Sequence, residues 1–152
     1  MMMKIEAGER QYELVEGWGT LPEGWTWGQV AGVACDSQDR VHVYTRTEHP
    51  YMVFDRGGTL VHHGGEDSFD LAHSLYIDET DSVFMLSHRG HIIMKFDRNG
   101  ELVLTLGDLG SERSNAPGKF WGPHCIWVDS QGDLYVGEVL EGQRLQKFAR
   151  CK

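Results

Sequence analysis

The sequence predicts an all-β fold: three propeller-type blades in one chain, each a small antiparallel sheet. Three observations carry this. The 152 residues hold 19 glycines and a scatter of aromatics, with no residue type dominating, a composition that favours strands and tight turns. The stretch "LAHSLYID", residues 71–78, returns as "GPHCIWVD", residues 122–129, with histidine, apolar, aromatic and aspartate positions in the same order. Residues 31–65 also align without a gap on residues 73–107 at an offset of 42. Asp36 falls on Asp78, Phe54 on Phe96, Asp55 on Asp97, Gly58 on Gly100 and Leu60 on Leu102. Four short strands repeating at a fixed period of about 42 residues are the mark of propeller blades.

The blades are expected at about 28–66, 69–107 and 119–150. In the second, "HSLYI" is the innermost strand and "DETD" its turn; "SVFMLS" follows, then "HRGH", "IIMKF", the Gly-bearing turn "DRNG" and "ELVLTL". The third copy begins at His124, with Asp129 on Asp78 at an offset of 51 and Phe148 on Phe96 at an offset of 52; the polar loop "GDLGSERSNAPGK" absorbs most of the extra residues. Each aspartate after the first strand is expected to accept backbone N–H bonds from its turn. Phe54, Phe96 and Phe148 are expected to pack between blades, and Cys35, aligned with Ile77 and Val128, as a small buried hydrophobe.

The third copy reaches "KFARCK" before a fourth strand. "YELVEGWG", residues 12–19, resembles "ELVLTLG" and is the candidate to complete a last blade, after a flexible lead over residues 1–10. Three blades cannot close a ring of the usual 4–8. The expectation is a homodimer forming one six-bladed ring, each 12–19 strand completing the partner's last blade and covering an edge. The alternative is a piece of a longer propeller.

The net charge of −9, with no run of lysine or arginine, argues against a nucleic-acid or anionic-membrane partner. No apolar stretch approaches the ~18 residues a spanning helix needs, and "MMMKIEAGER" lacks the apolar region of a secretory signal. Cys35, Cys125 and Cys151 show no metal-ligand spacing and read as reduced thiols of a cytoplasmic protein.

"HSLYIDETDSVFMLSHRGHIIMKFDRNGELVLTLG" and "GPHCIWVDSQGDLYVGE" resemble NHL repeats. "GWGTLPEGWTWGQVAGVACDSQDRVHVYTRTEHP" is similar to the bacterial six-bladed NHL proteins related to peptidyl-α-hydroxyglycine α-amidating lyase. The resemblance implies a six-bladed NHL propeller serving as an enzyme or as a binding scaffold. In the lyase, inner-strand histidines hold a zinc in the channel; the matching positions here are Ala31, His73 and His124. The lyase's arginine position after the second strand carries Arg46, His88 and Val139, and its adjacent tyrosine position Thr47, Arg89 and Leu140.

The candidate ligand site is therefore a channel mouth made by Arg46, His73, His88, Arg89 and His124. His73 and His124 are the candidate metal ligands, for zinc or calcium, and the alternative is histidines lining a wet channel without metal. Arg46, Glu48, His49, His88, Arg89 and His91 lie on turns at the same end, where cations and imidazoles suit an anionic or carboxylate ligand. The functional expectation is a homodimeric scaffold binding a small molecule or a protein, with a metal-dependent lyase of the amidating type as the alternative. His62 and His63 are expected at the surface, and Trp18, Trp25 and Trp27 as packing over the first blade.

Overall fold

A computed structural model describes residues 4–7, 10–66, 71–87, 89–107, 114 and 116–151. A short hairpin, β1 (Lys4–Ala7) with β2 (Arg10–Glu13), comes first. The first sheet orders β3 (Val30–Cys35), β4 (Val41–Thr45), β5 (Tyr51–Phe54) and β6 (Leu60–Gly64) as an antiparallel meander. The second repeats this with β7 (Ala72–Ile77), β8 (Val83–Ser87), β9 (Ile92–Phe96) and β10 (Leu102–Leu106). The third has three strands among the described residues: β11 (Pro123–Val128), β12 (Leu134–Glu138) and β13 (Leu145–Phe148).

The N-terminal expectation needs correcting. Within 12–19 only Tyr12 and Glu13 are strand, and they belong to β2, which pairs inside the chain with β1. Lys4–Ala7, expected as part of a flexible lead, is thus strand. The strand ends at Glu13, and Gly17 in the turn that follows has φ +73°, a left-handed conformation that glycine adopts without a Cβ clash. The Trp-rich segment that follows is clipped to the first sheet: Thr20 N donates to Gly58 O at 2.9 Å and Trp18 Nε1 to Arg56 O at 3.1 Å. Gly58 has φ +88°, and a Cβ there would stand 2.6 Å from Gly19 N, so both conformation and space demand glycine.

The turns follow the expected chemistry. Asp36 Oδ1 accepts from the backbone N–H of Gln38 and Arg40, each at 2.9 Å. Asp78 does the same for Thr80 and Ser82 at 2.9 and 3.0 Å, and Asp129 for Gln131 and Asp133 at 2.9 and 3.0 Å. Asp97 repeats it on the outer turn with Asn99 and Glu101. One carboxylate oxygen per turn thus satisfies two N–H groups the ladder leaves over.

The core lies between sheets. Tyr44, Ala72, Leu75, Val83 and Met85 fill the first boundary, with Phe96 against them. Phe84, Leu86, Ile93, Phe120, Ile126, Leu134 and Val136 fill the second, with Phe148 against them. Val43, Met52 and Phe54, on the far side of the first sheet, are covered by Trp18, Leu21, Trp25 and Trp27. Phe54 therefore packs under tryptophans rather than a neighbouring sheet. Cys35 is exposed, not buried; its equivalent Ile77 faces the preceding sheet, and the first sheet has no predecessor among the described residues.

Candidate functional site

The innermost strand of each sheet carries a bulge at the same point. The ladder shifts register between Val30 and Gly32, between Ala72 and Ser74, and between Pro123 and Cys125. The residues left over are Ala31, His73 and His124. A bulge kinks the strand and re-aims the side chain of its extra residue. All three sit where the innermost strand begins, and the turns from second to third strand close at that same end, as the pairings Val30 with Thr45 and Tyr44 with Tyr51 require.

The re-aiming brings two histidines together. The rings of His73 and His124 lie 4.4 Å apart, edge to face at 69°. His73 is half-buried and His124 exposed. Arg46 reaches this pair from the end of the first sheet's second strand. Its Nε donates to Ala72 O at 2.9 Å, its Nη1 to Gln29 Oε1 at 3.0 Å and its Nη2 to His73 Nδ1 at 3.2 Å. Gln29 is held in turn, its carbonyl accepting from Arg46 N at 2.9 Å.

A guanidinium only donates. His73 Nδ1 must therefore carry the lone pair, and the neutral ring holds its proton on Nε2. The arrangement is a fixed cation with two imidazoles beside it, at an exposed mouth where sheets meet.

Of the five residues expected at the mouth, Arg46, His73 and His124 are brought together. His88 lies outside the described residues, and Arg89 is exposed on the neighbouring turn. His91 is buried at φ +51° and does not present itself to the mouth. Val139, at the Arg46 position of the third sheet, has no polar side chain to offer; its N–H donates to Gly122 O at 2.9 Å and its carbonyl accepts from Gly142 N at 3.2 Å. Gln29 was not anticipated: its role depends on Arg46 folding back across the turn.

A zinc ion, one of the two candidate metals, finds a poor fit within one chain. His73 and His124 offer two donors, and among the described residues no third His, Cys, Asp or Glu joins them within ligand reach. The Arg46 guanidinium also occupies His73 Nδ1 and places a positive charge beside any incoming cation.

No family model and no curated protein matches the chain. Solved structures do. A streptogramin B lyase matches with a TM-score of 0.65 and 16% identity over 83% of this chain and 39% of its own. A virginiamycin B lyase from Staphylococcus aureus gives 0.55 and 11%, over 84% of this chain and 43% of its own. A catalytically inactive histidine-to-alanine form of that lyase, with quinupristin, gives 0.59 and 9%, over all of this chain and 46% of its own. This chain has a β-propeller fold. At such identities the likeness concerns the fold alone, and the chain spans less than half the length of the lyases it matches.

Proposed function

We propose that this chain is half of an NHL-type propeller ring, and that two copies close it into a homodimeric six-bladed scaffold. The proposed mouth is lined by Arg46, His73, His88, Arg89 and His124 of each copy and takes an anionic ligand, a carboxylate in the first instance. Arg46 carries this reading: tied by Gln29 and Ala72 O and set against His73, it is a pre-positioned cation of the kind that recognises carboxylates.

Ring closure is supported by what the two ends of the arc expose. Val33 is 62% exposed, although its equivalents Leu75 and Ile126 are 8% and 6% exposed. Leu145 is 69% exposed, although its equivalent Ile93 is 1% exposed. Large apolar side chains at both ends, at positions that inner sheets bury, fit a surface awaiting a neighbour. The outer edge of β13 has no fourth strand among the described residues, and covering such an edge is a normal requirement.

The test has two parts. Sedimentation equilibrium should give twice the 17.2 kDa chain mass; a monomer at all concentrations overturns the ring. Succinate and a tripeptide with a free C-terminus should bind wild-type protein, and Arg46→Ala should weaken both at least ~10-fold, the scale of one charge-assisted bidentate contact. No binding by the assembled protein overturns the ligand class.

A lyase acting at the same histidines is the second reading, favoured by the close His73–His124 pair. Cleavage of an α-hydroxyglycine peptide (the amidating reaction) or turnover of quinupristin should then be lost in His124→Ala. No turnover of either above buffer removes it.

A further inference from the structure

A second group of side chains lies at the same end of the first sheet but at its outer side. His49 is on the turn from β4 to β5, His63 is in β6, and Glu66 lies two residues beyond that strand. Glu66 Oε1 stands 2.9 Å from His63 Nδ1 and 3.4 Å from His49 Nδ1, and the three residues' ligand atoms lie within 4.8 Å of one another. Trp25 holds the group from one side. Its ring stacks on His49 at 3.4 Å and 10°, and meets His63 edge-on at 5.1 Å.

We propose that His49, His63 and Glu66 form a binding site for a divalent first-row transition ion, zinc being the test case. Two imidazoles and one carboxylate are a recognised three-ligand set for zinc, with the fourth position left to water. With bonds of 2.0–2.2 Å, tetrahedral donors stand about 3.3 Å apart. The two separations to Glu66 bracket that figure, and all three ligand atoms lie within 4.8 Å, so an ion enters by movement of side chains alone. Room for such shifts lies mainly at His63 and Glu66, 51% and 38% exposed, while His49, 29% exposed, is held under Trp25. The single carboxylate offsets part of the ion's charge, and no lysine or arginine contacts the group among the described residues.

Folding alone is a weak reason for this arrangement. Exposed ion pairs contribute ~0–1 kcal/mol, yet three donors from separate elements converge here while a tryptophan fixes one imidazole plane. The local pairing explains how they meet. Met52 opposes His63 and Tyr51 opposes Gly64, so the end of β6 is held beside the turn that carries His49. The site shares no residue with the Arg46 mouth and needs no second copy, so its failure and that of the ring are separately visible.

The test is zinc titration of the full chain against a chromophoric chelator, with cobalt substitution read in the visible. Wild type should take up one ion per chain, and cobalt should give the intense bands of a tetrahedral N/O site. His63→Ala and the near-isosteric Glu66→Gln should each weaken binding at least ~10-fold, the least that losing even a hydrogen-bonded partner of a metal ligand costs, with circular dichroism unchanged. His73→Ala combined with His124→Ala should bind as wild type does. Fewer than ~0.2 ions per chain, equal binding by Glu66→Gln and wild type, or binding lost in the His73/His124 variant each overturns the proposal.

Discussion

The Arg46 guanidinium and the His73 imidazole meet across the boundary between the first and second sheets, Nη2 to Nδ1 at 3.2 Å. The same arginine donates to Ala72 O, the residue before His73. One side chain thereby fixes both the strand start and the ring that the bulge re-aims.

Arg46→Ala should release that ring. In wild-type protein, nitrogen chemical shifts of His73 should report a protonated Nε2 and a bare Nδ1, because the guanidinium can only donate. The variant should show a mixture of tautomers. Since Arg46 is exposed, its loss should cost only about 1 kcal/mol in urea unfolding. A wild-type His73 already in mixed tautomers would show that the contact does not hold in solution.

Asp78→Ala should cost more. Its Oδ1 accepts from Thr80 N, Ser82 N and Thr80 Oγ1 at 2.9, 3.0 and 2.7 Å, and Ser82 is buried. Burial alone would raise this carboxyl's pKa, but the bonds from Thr80 and Ser82 and the nearby Lys95 hold it below the ordinary value. Truncation leaves turn N–H groups without their acceptor, at a cost of about 2 kcal/mol. Thermal or urea unfolding measures this, and a loss below ~0.5 kcal/mol would make the aspartate incidental.

These turn aspartates explain how much could be read in the chain before any coordinates. A carboxylate bonded two and four residues ahead is a local device, so Asp36, Asp78 and Asp129 mark the sheets in sequence. The strand "SVFMLS" was legible too, but that Phe84 and Leu86 face one boundary and Val83 and Met85 the other is seen only in the packed sheets. The mouth was half legible: His73 and His124 stood out by repetition, but the bulge that turns them and the reach of Arg46 and Gln29 arise only when two sheets pack. His49, His63 and Glu66 were not legible as a group, because strand pairing joins residues up to 17 positions apart. A repeat alignment assigns Cys35 the burial of its equivalents, but the surface that buries those equivalents is a preceding sheet, which the first sheet lacks among the described residues, so Cys35 is exposed.

Stability should fall in acid in two stages. His42 lies between Asp36 and Tyr51, with Nε2 3.1 Å from the carboxylate and Nδ1 2.6 Å from the phenol. Burial lowers its pKa below the ordinary 6.5, outweighing the pull of Asp36 in the other direction. A pKa lower in the fold than in the unfolded chain means the neutral ring stabilises; that contribution is complete above about pH 6.5 and declines as pH falls below it. Burial would raise Asp36, but bonds from His42, Arg40 and Gln38 bring it down from 3.8 to about 2. Its contribution is present above pH 3.8 and is lost as pH falls towards 2. Urea midpoints against pH should therefore decline below pH 6.5, and His42→Gln should flatten that first stage. An unchanged slope in the variant would assign the first stage to other histidines.

Leu145→Arg should separate assembly from folding. At 69% exposure Leu145 adds little to the fold of one chain, whereas Ile93, its equivalent, is 1% exposed in the second boundary. A ring would bury Leu145 in the same way, against the first sheet of a second copy. A guanidinium there would be taken from water with no carboxylate arranged to receive it, at a cost of several kcal/mol per interface. Two such interfaces per ring are enough to abolish a micromolar dimer, since each 1.4 kcal/mol is tenfold in affinity. Sedimentation should move from twice the chain mass to once, with circular dichroism and the unfolding midpoint of dilute protein unchanged. If Leu145→Arg remains a dimer, the face beyond β13 is not where two copies meet, and the ring as drawn from these sheets is wrong.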